Sequence, residues 1–156
     1  MDSSFENKAE RPQSELKNRL YPVFLKLDQL NILLVGAGNV GLEKLHSLLS
    51  NSPEAKITIV APGVKEEVRR LVGQHPSCRI EQRSFEDSDL NDKELVILAT
   101  DDHKLHEYVR DLSIEKNILL NVADTPDLCD FYLGSIVQKG NLKIAISTNG
   151  KSPTAA

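Results

Sequence analysis

Three glycines in the run "LLVGAGNVG", Gly36, Gly38 and Gly41, stand in G-x-G-x-x-G spacing between an apolar run and an amphipathic one. That spacing suits the binding of a dinucleotide pyrophosphate. The first glycine permits a tight turn, the second lets backbone approach the phosphates, and the third allows a helix to lie close to a sheet; the helix N-terminus then offers N–H donors and a positive dipole end. No Gly-Lys-Ser/Thr follows, so the loop is not of the ATPase type. A second group is "NVADTPDLCDF", residues 121–131, with Asp124, Asp127, Asp130 and Cys129. Its D-x-x-D-x-x-D spacing does not match a calcium loop. Asp124 directly follows an apolar run and is expected at the end of a strand, whereas Asp127 and Asp130 flank Pro126 and suit side-chain-to-backbone bonds in a turn.

The elements that must position these groups can be read from periodicity. "NILLV", "KITIV", "SCRIEQRSF", "ELVILAT" and "NILLNVA" read as strands. "NVGLEKLHSLLSNS" reads as a helix with Val40, Leu45, Leu48 and Leu49 inward, and "VKEEVRRLVGQ" as one with Val64, Val68, Leu71 and Val72 inward; "DDHKLHEYVRDLSIEK" is a third. Strand and helix in alternation predict an α/β fold, a Rossmann-like doubly wound parallel sheet with right-handed crossovers. The glycine loop, Thr100 and Asp101 in "ATDD", and Asp124 then share the carboxyl rim, where open sheets of this kind bind ligands. Asp101 also suits a helix N-cap. Beyond Asp124, two β-like runs around "QKGN" predict a C-terminal antiparallel hairpin extending the sheet. "YPVFLKLDQL" is expected to dock an edge segment.

Residues 1–20 are expected to be a flexible lead-in, 21–150 the binding domain, and 151–156 the start of a helix, with Ser152 as N-cap and Pro153 in the first turn. The chain is expected to continue beyond that turn. At 156 residues one domain can bury a real core without staples. Met1 opens onto polar residues and Cys78 lies far from Cys129, so cytoplasmic free thiols are expected. No apolar run reaches the ~20 residues of a membrane span. A net charge of −4 gives no general attraction to nucleic acid or anionic lipid. Small molecules or another protein are the expected partners.

Several groups offer less. His103 and His106 are three apart on one helix, but without a third ligand nearby they read as solvent-facing rather than as a metal pair; His46 reads as a partly buried packing residue and Cys129 as a small buried one. A dinucleotide fold usually carries an acid about 20 residues after the loop to hold a ribose hydroxyl. Here that place reads "TIVAPG", with Ala61, Pro62 and Gly63. Lys65, Arg69 and Arg70 follow and could meet a 2′-phosphate or simply face solvent, so NAD and NADP both stay open on the residues.

Taken together, "ILLVGAGNVGLEK", "TIVAP", "ILATDD", "NVADTPDLCDF" and "IAISTNGKSP" resemble, in order and separation, the dehydrogenase domain of sirohaem synthases, the precorrin-2 dehydrogenase family. The resemblance runs from about Tyr21 to the last residue. It implies NAD-dependent oxidation of precorrin-2 to sirohydrochlorin, with ferrous iron or cobalt insertion in some members, and a homodimer built by a C-terminal helical region. It implies Asp124, in "NVAD" for the family's N-V-V-D, as the essential acid. Cofactor contacts are implied at Asn39 and Val40 and at Pro62 and Gly63, joining Gly36, Gly38, Thr100 and Asp101. Two departures are Asn149 for a glycine and His106 where the family often has Asn. A non-catalytic NAD(H)-sensing module and a chelatase without dehydrogenase activity are the alternatives.

Overall fold

A computed structural model describes residues 17–149. Five runs of aliphatic residues become parallel strands: β1 (Asn31–Val35), β2 (Lys56–Val60), β3 (Cys78–Glu81), β4 (Leu95–Leu98) and β5 (Leu119–Val122). Their order across the sheet is β3-β2-β1-β4-β5. The chain winds outward from β1 to one side and then to the other, so the order reverses between β1 and β4, the place where such sheets open a crevice. Register is continuous there, with Val35 opposite both Val60 and Leu98, and Leu98 opposite Val122.

Strand alternation sends successive side chains to opposite faces. Ile32, Leu34, Ile57, Ile59, Leu95 and Ile97 pack on one face with Leu45, Leu48 and Leu49 of α1 (Asn39–Asn51) and Val68 of α2 (Glu66–Gly73). Leu33, Val35, Val96, Leu98, Leu120 and Val122 pack on the other with Val109 of α3 (His103–Lys116). Each fully buried Leu or Ile contributes about 1.5–3 kcal/mol relative to exposure, which makes the two-sided core the main source of stability. The sheet is thus a rigid plate with its carboxyl rim held in place.

Several expectations need correction. β3 covers four residues rather than nine, because its polar continuation turns away to let Arg83 reach Asp89 at 3.0 and 2.7 Å. The "YPVFLKLDQL" stretch docks as expected only at its end, where a 3-10 turn at Leu27–Gln29 sets Leu27 and Leu30 against the core, while Tyr21, Val23, Phe24 and Leu25 are exposed. Val40 is on the exposed side of α1 and Gly41 takes the inward place beside Leu45. His46 is also exposed and meets Ser50 Oγ at 3.2 Å.

Residues Phe24–Leu133 form one compact unit, and the described residues before and after it belong to a second. In the second, β6 (Ser135–Lys139) and β7 (Leu142–Ile146) pair antiparallel around Gly140, which takes φ +58°. The hairpin is as expected, but it is a separate two-stranded sheet and does not extend the parallel one. Asn18 Nδ2 donates to Ser147 Oγ at 3.1 Å in the same unit. The expected lead-in up to residue 16 and the helix start at Ser152 and Pro153 lie outside the described residues.

Candidate functional site

The glycine loop follows β1 and turns into α1. Gly36 has φ +111°, and a Cβ there would strike the Ala99 carbonyl oxygen and press on Thr100 Cγ2. A Cβ on Gly41 would strike the Gly36 carbonyl oxygen. Both glycines are therefore required by close approach within the protein. Gly38 is different: nothing lies within 4 Å of where its Cβ would be. It occupies the N-cap of α1 with no side-chain cap, and the first intrahelical bond runs from Leu42 N to Gly38 O at 2.9 Å. The N–H groups of the first turn, at Asn39, Val40 and Gly41, point along the helix axis toward open space. An uncapped helix end beside an empty glycine cradle fits a dinucleotide pyrophosphate.

The rim is paved with small residues one position beyond each strand. Gly36 N donates to Val60 O at 2.9 Å, Ala99 N to Val35 O at 2.7 Å and Ala123 N to Leu98 O at 2.9 Å. Beyond β2 come Ala61, Pro62 and Gly63, the last with open space at its Cβ position. No acid stands there. Instead Lys65 Nζ donates to Asn39 Oδ1 at 2.6 Å, Gln82 Nε2 donates to Pro62 O at 3.2 Å, and Arg69 donates to Gln82.

Thr100 lies two residues beyond β4 on the same rim. Its Oγ1 is 3.0 Å from His106 Nε2, and Asp102 N donates to it at 3.4 Å. His106 is 1% exposed, which overturns the solvent-facing expectation. It lies on the buried stripe of α3 with Val109 and Ser113, three and seven residues on, and that spacing was the signal available in the sequence. Burial, with His103 adding to it, outweighs the Thr100 backbone and the carboxylates of Asp102 and Asp101 and holds His106 below its usual 6.5. Asp102, not Asp101, caps α3, accepting from Leu105 N at 3.1 Å; Asp101 is left exposed.

The acidic segment after β5 separates into two kinds of residue. Asp124 sits two residues past the strand, exposed, at φ +60° in a turn closed by Thr125 N donating to Val122 O at 3.2 Å. Among the described residues no hydrogen-bond donor or cation pairs with its carboxylate. Asp130 is committed elsewhere: its Oδ2 accepts from Leu120 N at 3.0 Å, its N–H donates to Leu120 O at 2.7 Å, and Arg110 Nη1 lies 3.1 Å from Oδ2. Cys129 Sγ accepts from Val122 N at 3.1 Å and donates to Val122 O at 3.3 Å or Thr125 O at 3.4 Å. Cys129 is thus half-buried and hydrogen-bonded. Burial, helped by Asp130, raises its pKa and keeps it a thiol, which suits the donor role. Asp127 is exposed in the 3-10 turn Pro126–Leu128. Among the described residues no three metal-ligating side chains converge, and no helix is long and apolar enough to cross a membrane.

Comparison with known proteins gives concordant matches. A family profile described as "Putative NAD(P)-binding" matches residues 23–135, and one described as "Sirohaem biosynthesis protein central" matches 139–156. A sirohaem synthase of Pseudoalteromonas atlantica is 40% identical over 133 residues, 85% of this chain and 28% of that protein. One of Nitrosomonas europaea is 36% identical over 135 residues, 86% and 28% of the two chains. The solved structure titled "SirC, precorrin-2 dehydrogenase" is 26% identical, with a TM-score of 0.73 over 87% of this chain and 65% of that one. The chain therefore spans little more than a quarter of the curated relatives it matches.

Proposed function

The chain belongs to this NAD(P)-binding family, and on that premise we propose that it is the dehydrogenase part of a sirohaem-forming enzyme, oxidising precorrin-2 to sirohydrochlorin with NAD. The observation that carries the reading is Asp124, an exposed carboxylate without a described partner, two residues beyond β5 on the rim that also bears the glycine loop and Thr100. Gly36, Gly38, Asn39 and Val40 are the proposed seat of the pyrophosphate. Pro62 and Gly63 would line the adenosine side, and Thr100 and Asp101 the opposite side. NAD is favoured over NADP because Lys65 and Arg69, the cations closest in sequence to the exit of β2, are engaged with Asn39 and Gln82.

When bound, NAD supplies the hydride acceptor. Oxidation of the macrocycle removes a hydride and a proton together, and the Asp124 carboxylate is the group proposed to take the proton. Its exposure leaves both oxygens free to meet pyrrole N–H groups and orient the substrate. The buried face of the sheet below holds that turn in place.

The test replaces Asp124 in the full-length protein. Asp124→Asn keeps the volume and the tolerance for positive φ but removes the base. NAD-dependent formation of sirohydrochlorin, followed by its absorption spectrum, should be lost while NAD affinity stays within about twofold of wild type, under ~0.5 kcal/mol. Undiminished turnover would sink the role given to Asp124. A wild-type protein that binds NAD and turns over no precorrin-2, with or without ferrous iron, would favour the sensing module instead.

A further inference from the structure

His106 is a buried neighbour of Thr100. Its ring has two nitrogens, and the structure treats them differently. Nε2 is 3.0 Å from Thr100 Oγ1, while Nδ1 is buried with no hydrogen-bond partner among the described residues. A neutral imidazole carries one proton. On Nδ1 that proton would be an orphaned buried donor, a rare and costly state; on Nε2 it is used, and Nδ1 is left as an under-satisfied acceptor, which is the milder defect. The proton therefore belongs on Nε2, and His106 donates to Thr100 Oγ1.

That direction has a consequence for the threonine. A hydroxyl has two acceptor lone pairs and one donor proton. Here the Nε2–H of His106 and the N–H of Asp102 both donate into Oγ1, so both lone pairs are taken. The Thr100 proton has neither of these as a target and is available to a third acceptor.

We propose that His106 is a positioning residue that fixes Thr100 as an obligate hydrogen-bond donor, aimed at an acceptor oxygen on the nicotinamide half of the bound dinucleotide. The inference rests on the cofactor reading above. The half is chosen by topology: the pyrophosphate cradle follows β1, the Pro62 and Gly63 exit follows β2 on one side, and Thr100 follows β4 on the other. A ligand crossing the β1/β4 reversal with its adenosine toward β2 brings its remaining half to Thr100.

The test combines tautomer and affinity measurements on the full-length protein. Nitrogen-15 NMR of the histidine rings should show His106 protonated on Nε2 and bare on Nδ1; the reverse tautomer overturns the proposal. Thr100→Val and His106→Leu should each weaken NAD binding by up to about tenfold, with the double variant no weaker than the worse single one. Binding of ADP, which lacks the nicotinamide half, should change by less than about twofold. His106→Gln, whose amide can donate to Thr100, should recover part of the NAD affinity. A His106→Leu protein with wild-type NAD affinity, additive losses in the double variant, no recovery with Gln, or equal losses for ADP and NAD overturns the assignment. A wild-type protein that binds neither NAD nor ADP overturns the cofactor reading itself, a result distinct from all of these.

Discussion

At the scale of single residues the glycine loop answers two separate demands. Gly36 and Gly41 are held by the protein's own crowding, Gly38 by nothing the protein supplies. Gly36→Ala should cost on the order of 1–3 kcal/mol or prevent folding, since it meets the Ala99 carbonyl at a φ that disfavours any side chain. Gly38→Ala, at φ −91° in open space, should melt within about 0.5 kcal/mol of wild type. Its NAD affinity should nonetheless fall at least about tenfold as the methyl fills the pyrophosphate seat. Thermal melts paired with calorimetric titration check both; equal affinity for wild type and Gly38→Ala would remove the pyrophosphate from that cradle. Spacing alone named all three glycines and singled out the second for the phosphates, but it could not name what crowds the first, because that is the Ala99 carbonyl, more than sixty residues away.

Among the elements, β5 shows why one sequence segment carries two unlike tasks. In a parallel strand, alternate residues turn their backbone groups to opposite sides. Leu119 and Ala123 bond toward β4, leaving Leu120 and Val122 facing out. Asp130 satisfies both groups of Leu120, and Cys129 both groups of Val122. Cys129→Ala should lose about 1–3 kcal/mol in urea titration by orphaning the Val122 N–H, whereas Cys129→Ser, which can still accept and donate, should lose less. Equal stability of all three proteins would show that the sulfur is not closing the edge. The strands and helices themselves were legible, because their apolar periods coincide with their burial. The lining of β5 was not: Cys129 looks like core filler in sequence, and nothing local announces which backbone groups it will meet. His106 was misread for a related reason, since an isolated histidine pair on a helix suggests solvent until the Val109 and Ser113 stripe is counted with it.

For the molecule as a whole, two buried groups set how stability should depend on pH. His106 is held below its ordinary value of 6.5, so as pH falls through 6.5 the unfolded chain takes up a proton that the folded one resists, and stability drops. Burial alone would raise Asp89, but its bonds from Arg83 and from Glu86 N–H more than offset this and hold it below its ordinary 3.8. There too the unfolded chain protonates first, so a second loss sets in as pH falls through 3.8. Melting temperature should therefore decline in two stages on acidification, and His106→Leu should flatten the first while leaving the second. A single stage below 4 in the wild type would contradict the burial assigned to His106. The parallel sheet was readable because two interior faces enforce one register, whereas the hairpin beyond it forms a sheet of its own. The rim was readable only in position, since its small residues serve space rather than packing.

The covering of β5 also decides how such plates can join. A strand from another chain finds no free donor or acceptor on Leu120 or Val122, so edge-to-edge addition there is closed. The opposite edge of the parallel sheet is β3. If two copies met by their sheets they would have to meet β3 to β3, and the joined sheet would then end in a closed β5 on either side. Continuation of this sheet from copy to copy stops at a pair, so open-ended strand addition cannot run through the parallel sheet.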